Sequence, residues 1–318
     1  MDLDSFLRAS RVVIVAGKGG VGKTTVTAAL ARLAAERGLR TLVVEVEGKG
    51  GLAGLFGAEP LDYEESVLLT APGGGTVRGR TLTPDDALFE YLRAKGMRRL
   101  SKRLVQTGAM DVVATAAPGI KDILVLGKVK QLERAGDADL IVLDAPAAGH
   151  AITFLLAARA LLDAVRVGPI QAQAKDVLEL LTDAERCSVV LVTLPEETPV
   201  NELVETAFAL EDRVGVSLGP VVVNGLYPPI DGMDADPEAA AADAGTTLRP
   251  GEADALRAAA EFRRARMSLQ DSQLQRLAER LPLPQLRLPF LFRADLGADE
   301  VGLLAAALAA SVEQAVTS

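Results

Sequence analysis

Val12-Val13-Ile14-Val15-Ala16-Gly17-Lys18-Gly19-Gly20-Val21-Gly22-Lys23-Thr24-Thr25 joins an apolar run to a glycine-rich turn and to an alanine-rich stretch that stops at Gly38. Consecutive apolar residues fit a strand buried on both faces. The glycines let the backbone curl, and the composition from Thr25 to about Arg37 favours a helix. The reading is strand, loop, helix, with Gly17, Gly22, Lys23 and Thr24 at Walker A spacing. In such a loop, backbone amides from Gly17 through Gly19, Gly20, Val21 and Gly22 to Lys23, Thr24 and Thr25 surround phosphate oxygens, and the helix N-terminus adds partial positive charge. Lys23 then reaches the β- and γ-phosphates, and Thr24 ligates Mg²⁺ through its hydroxyl. The expected ligand is a nucleoside triphosphate.

Lys18 is a second lysine that this loop chemistry does not require. At the loop's second position it points away from the phosphates of its own loop. It is placed to neutralise transition-state charge in a facing subunit, as an arginine finger does in trans. A solvated surface lysine is the plainer alternative.

The chain of 318 residues is 49% apolar, enough for one large α/β core. Its formal net charge of −9 argues against a general affinity for nucleic acid or anionic membranes. The basic cluster Lys95, Arg98, Arg99, Lys102 and Arg103 falls at near-helical spacing and reads as a solvated helix face. Cys187 is the single cysteine and begins an apolar run, so a core thiol is expected rather than a disulfide or a metal clamp. The acidic start at Asp2 and Asp4 lacks signal-peptide character, and the apolar run 301–310 is too short for a membrane span. A cytoplasmic protein with no intrinsic membrane anchor is expected.

Apolar runs at 11–16, 41–46, 140–143, 188–193, 221–223 and 286–288 are buried-strand candidates, and another strand is expected at 77–82 after a Gly/Pro turn. Helical stretches at 84–106, 118–134, 151–165, 171–182 and 199–214 alternate with them. This pattern predicts an α/β fold with a mainly parallel central sheet covered by helices on both faces. One domain spans 1–318, with an inserted helical subdomain at 84–134 that 160–184 could extend. Met97, Met110, Val112, Val113 and Leu124 in that insertion could line an adaptable hydrophobic groove or simply pack among themselves. Residues 231–250 read as a mobile surface loop or a frayed helix.

The strand 140–143 delivers Asp144 to its C-terminal end, where open α/β sheets place their ligands. There Asp144 would hold a water on Mg²⁺, and the following segment to Gly149 could sense the γ-phosphate. His150, the only histidine, closes that loop and suits a switch or interface role. Asn224 ends another buried strand and can pair with the edge of adenine, while Pro289 and Phe290 follow a third strand and could cover the ring.

Together these residues resemble the ArsA-type family of deviant-Walker P-loop ATPases, which includes arsenite-pump ATPases and the eukaryotic targeting factor for tail-anchored membrane proteins. The resemblance spans nearly the whole chain. Its anchors are 17–25, 144–155, Val222 to Asn224 and Leu288-Pro289-Phe290. It implies ATP and ADP with Mg²⁺ as ligands, a nucleotide-sandwich dimer in which Lys18 crosses the interface, and a helical subdomain whose position answers to ATP, with a hydrophobic client protein as one partner.

Where the family has STDPAHNLSDAFG, this chain has Glu45-Val46-Glu47-Gly48-Lys49-Gly50-Gly51-Leu52-Ala53-Gly54-Leu55-Phe56-Gly57. Aligned through Leu52 and Phe56-Gly57, the family's water-orienting aspartate falls on Gly54 and the earlier aspartate on Glu47. Losing such a group costs on the order of 10²- to 10⁴-fold in rate unless Glu45, Glu47 or a partner supplies the carboxylate. The resemblance to one member of bacterial ArsA-like paralogue pairs implies a heterodimer as an alternative to a homodimer. A lone cysteine cannot make the family's three-cysteine metalloid site, which argues against arsenite. Two functions follow: a slowly hydrolysing ATP switch, with Lys18, Lys23, Asp144 and Glu47 as its catalytic set, or a nucleotide-stabilised non-catalytic subunit paired with a catalytic paralogue.

Overall fold

The computed structural model describes residues 2–46, 50–94, 119–146 and 148–317. A short helix α1 (Leu3–Arg8), capped by the Asp2 carboxylate on the Ser5 amide at 2.7 Å, leads into β1 (Val12–Gly17). Every residue of β1 is buried, as its unbroken apolar run requires of a central strand. Helix α2 (Lys23–Glu36) returns the chain to β2 (Arg40–Val46), and the short helix α3 (Gly51–Gly54) follows. The strands β3 (Ser66–Thr70) and β4 (Thr76–Leu82) form a hairpin whose turn is closed by Ala71 N donating to Gly75 O at 2.9 Å, with Gly74 at φ 84°. The turn falls where glycine and proline cluster in the sequence.

Helices α4 (Pro84–Ala94) and α5 (Ile120–Ala135) precede β5 (Leu140–Asp144). Then come α6 (Ala148–Ala164), α7 (Pro169–Thr182), β6 (Cys187–Thr193), α8 (Glu197–Arg213), β7 (Ser217–Leu218) and β8 (Val221–Leu226). The chain finishes with α9 (Pro237–Asp243), α10 (Glu252–Arg280), β9 (Gln285–Pro289) and α11 (Ala298–Thr317). The helix α9 lies inside the acidic segment read as a loop or frayed helix. The basic cluster from Lys95 onward and the expected helix beyond Ala94 lie outside the described residues, as do Met97, Met110, Val112 and Val113.

The sheet runs β3-β4-β2-β5-β1-β6-β8-β9, with β7 paired beside β6. All pairings are parallel except β3 with β4. β1 sits inside the sheet between β5 and β6, so the loop after it opens at the carboxyl edge, flanked by the ends of both neighbours. Two apolar layers enclose the sheet. One contains Ile123, Phe154, Leu180, Leu203 and Leu277 with Ile14 and Val44, and the other contains Leu30, Leu33, Leu304 and Leu308 with Val15 and Val43. The mainly parallel α/β architecture expected of the sequence is therefore present, and among the described residues no helix is long and apolar enough to cross a membrane.

Helices α4, α5 and α7 are joined by ion pairs as well as apolar contacts. Lys128 Nζ meets Glu90 Oε1 at 2.6 Å, and the buried Lys130 meets Asp176 Oδ2 at 2.6 Å. Tyr63 donates a hydrogen bond to Glu90, and the Arg80 guanidinium lies 4.5 Å from the Tyr63 ring centre, tying this helical group to the β3–β4 side of the sheet.

Candidate functional site

The loop after β1 is shaped by close backbone approaches. A Cβ on Gly17 would lie 2.3 Å from Val192 O of β6, so only glycine lets the loop leave the sheet there. Gly22 has φ 90° and a Cβ on it would lie 2.3 Å from Asn224 Nδ2. As the residue before α2, Gly22 offers no capping side chain, which leaves the first-turn amides of α2 directed at the loop's interior. Val21 is buried and anchors the loop from below.

Charged and polar groups from the start of α2 and the end of β5 converge on this turn. Lys23, 8% exposed, donates from Nζ to Lys18 O at 3.0 Å across the loop mouth. Thr24 Oγ1 donates to Asp144 Oδ2 at 2.7 Å, with Asp144 fully buried at the end of β5. This bond joins the loop to the adjacent strand and pairs a hydroxyl with a carboxylate. Among the described residues no three His, Cys, Asp or Glu side chains converge as a metal cage. The pair still suits Mg²⁺, a hard cation that keeps several waters and takes phosphate oxygens as its other ligands.

Lys18 turns away from this centre and pairs with Glu202 Oε1 on α8 at 2.6 Å, both side chains being 40% exposed. Glu47 lies outside the described residues, as does the His150 side chain, although residue 150 falls in the first turn of α6. The segment that returns toward the loop is Gly50-Gly51: a Cβ on Gly51 would lie 3.8 Å from Thr24 Cγ2. A Cβ on Gly54 would meet nothing within 4 Å, and Gly54 is exposed. The structure thus brings Gly51, and not Gly54, against Thr24 in the first turn of α2.

Pairing of β8 with β9 places Leu226 opposite Pro289, so Asn224 and Pro289-Phe290 meet at neighbouring strand ends. Phe290 N donates to Leu226 O at 2.7 Å, and its half-exposed ring lies 5.6 Å from that of Tyr227 and 4.7 Å from that of Phe292. Arg263 of α10 stacks on Tyr227 and Phe292 at 5.2 and 5.0 Å. Asn224 spends one amide hydrogen on Val21 O at 2.9 Å and keeps its carbonyl oxygen for another contact. Sequence reasoning missed Tyr227, Phe292 and Arg263; the only signal was aromatic residues a few positions beyond Asn224 and Phe290. It also missed Gln270 of α10, which accepts from Tyr227 N at 2.9 Å and donates to Gly225 O at 3.1 Å, fixing the turn after Asn224.

Cys187 is fully buried, and that burial pushes its thiol up to about 12. Such a thiol is poorly suited to bind metal or act as a nucleophile.

Comparison with known proteins shows a family likeness. Residues 10–167 match the family described as anion-transporting ATPase. The chain is similar to ATPase BagA of Mycobacterium tuberculosis, 37% identical over 238 residues that cover 70% of this chain and 67% of that protein. It is also similar to a putative arsenical pump-driving ATPase of Halobacterium salinarum, 27% identical over 237 residues, or 69% of this chain and 36% of that protein. ATPase get3 of Schizosaccharomyces japonicus is 27% identical over 143 residues, covering 45% of this chain and 42% of its own length.

Proposed function

The chain belongs to the ArsA-type family of P-loop ATPases, and from that premise we propose that it is a slowly hydrolysing Mg·ATP switch whose nucleotide state governs a helical partner-binding region. The Thr24 to Asp144 bond carries this reading, because it joins the phosphate loop to the strand end where a Mg²⁺-bound water would be held. In the proposed site Lys23 binds the β- and γ-phosphates, Thr24 ligates Mg²⁺, and Asp144 holds a metal-bound water. Asn224, Pro289 and Phe290 form the base end. Mg²⁺ supplies charge neutralisation on the phosphates; the chain supplies position and a dry, amide-lined loop.

The dimer is also a proposal: two copies of this chain, or this chain with an ArsA-like paralogue, each offering Lys18 to the other's phosphates. The helical region 84–134, extended by α7, is the proposed reporter of nucleotide state, and a hydrophobic client is its proposed partner. The single buried cysteine argues against arsenite as the cargo.

Hydrolysis is favoured over a purely structural nucleotide role because the exposed Gly54 stands apart from Thr24, so its missing side chain carries less weight against turnover. A steady-state ATPase assay with Mg²⁺, on the chain alone and mixed with a paralogue, tests this. We expect turnover slower than about 1 s⁻¹, below the usual median for enzymes, and its loss in Lys23→Ala. Tight nucleotide binding without turnover in either setting would return the chain to the non-catalytic reading.

A further inference from the structure

Glu45 is a buried acidic residue that the site as described does not use. β2 sends Leu42, Val44 and Val46 into one apolar layer and Val43 into the other, so alternation puts Glu45 on the side of Val43, which is also the side of α2. In the parallel register Glu45 stands opposite Asp144 on one flank and Thr81 on the other. Asp144 shares that side of the sheet with Val142 and accepts the bond from Thr24. Glu45 therefore stands next to Asp144 below the first turn of α2.

This carboxylate is under-used by the protein around it. Glu45 is 1% exposed; Oε2 accepts one long bond from Thr81 Oγ1 at 3.4 Å, and Oε1 has no hydrogen-bond partner. Valine or isoleucine would suit a strand position buried on both sides, and a dry acceptor without a donor is destabilising. Its presence there points to a donor that arrives with a ligand. Hydrated Mg²⁺ is such a donor, since it keeps most of its waters and polarises their hydrogens toward surrounding carboxylates.

We propose that Glu45 is a second outer-sphere carboxylate of the Mg²⁺ site, its Oε1 accepting a hydrogen bond from a water held on the ion beside Asp144. The inference rests on the nucleotide reading above and deepens it. Glu45 acts here as a positioning residue: it fixes the orientation of a metal-bound water and raises the affinity for Mg²⁺ in the nucleotide complex. Buried acceptor capacity beside Asp144 is thereby satisfied only when Mg²⁺ and nucleotide are both present.

The test is calorimetric binding of ADP to the full chain, with Mg²⁺ titrated from an EDTA-buffered baseline, for wild type, Glu45→Gln and Glu45→Val. Loss of an outer-shell partner typically weakens metal affinity 10- to 100-fold. We expect the Mg²⁺ concentration at half-maximal enhancement of ADP binding to rise about tenfold in both variants. Metal-free ADP affinity should stay within about twofold, and the melting temperature without ligand should be equal or higher, because a buried, poorly paired carboxylate has gone. An unchanged Mg²⁺ dependence in a folded variant overturns the inference while leaving the nucleotide reading intact. So does an equal loss of ADP affinity with and without metal, which would make Glu45 a support of the loop alone. Wild-type protein that binds no nucleotide overturns the nucleotide reading and this inference with it. The Val variant serves if Gln fails to fold.

Discussion

Gly22 and Asn224 show how much of the site depends on single atoms that are distant in sequence. The glycine's positive φ and the absence of its Cβ admit Asn224 Nδ2, which holds the loop through Val21 O. In the proposed site that bond would shape the loop whichever base is bound. Asn224→Ala is accordingly expected to weaken ADP and GDP alike, by about fivefold, since one such hydrogen bond is worth about 1 kcal/mol and 1.4 kcal/mol is a factor of ten. Calorimetric titration of both nucleotides checks this, and a loss confined to ADP would assign the amide to the base alone. The strand, loop and helix were legible in the sequence because the apolar run, the glycines and the helix formers lie in one contiguous stretch. The second duty of Asn224 was not legible, because the pattern marks a strand-end amide without saying which carbonyl the fold brings beneath it. Glu45 was visible as a carboxylate inside an apolar run, but its unpartnered Oε1 is a property of packing alone.

Among the elements, the strands with buried apolar runs were the most legible and the exposed edge strand β3 the least. β1, β5 and β6 are covered on both faces and must be apolar almost throughout, so composition alone announces them. β3 is an edge strand with exposed or half-exposed side chains and leaves no comparable trace. The longest helix, α10, was passed over for a related reason: Gln270, Gln273, Leu274 and Leu277 are its buried residues, all in its C-terminal half, and the rest is charged or alanine-rich. Ends of elements are fixed by polar contacts that hydropathy does not report. At the start of β2, Asp139 accepts from the backbone N, Nε and Nη2 of Arg40 at 2.8, 3.1 and 2.7 Å, bridging to the start of β5. The side-chain hydrogen bond from Arg40 holds the Asp139 carboxyl below its ordinary value of 3.8. A depressed folded value means that the contribution to stability is complete above about pH 4 and disappears as pH falls through the folded value. Asp139→Asn should thus lower the melting temperature slightly near pH 7, with the difference from wild type shrinking below pH 4. Thermal melts from pH 3 to 7 measure this, and a difference independent of pH would assign the effect to geometry instead of charge.

At the scale of the molecule, the sheet places the loop after β1, the end of β5 and the aromatic ends of β8 and β9 along one carboxyl edge, and Lys18 is a charged group there that turns outward. Its partner Glu202 is on α8, and both side chains are 40% exposed, so their contact contributes only about 0.2–1 kcal/mol and is readily exchanged for another anion. A lysine needed within its own site would be held more tightly than this. One poised to reach a facing subunit needs a partner it can leave. Lys18→Ala is expected to change the stability of the isolated chain by no more than about 0.5 kcal/mol, as exposed substitutions do. Nucleotide affinity should stay within about threefold, because Lys23 and the loop amides remain. Turnover should fall by about 10³-fold, the lower range for a charge supplied in trans, and sedimentation velocity should show loss of any dimer formed with a non-hydrolysable ATP analogue and Mg²⁺. Glu202→Gln separates the two roles of the pair: it frees Lys18 and should leave turnover and dimer intact or increase both. If Lys18→Ala keeps full turnover and the same sedimentation coefficient, the lysine is no more than the surface half of its ion pair with Glu202, and the trans arrangement fails.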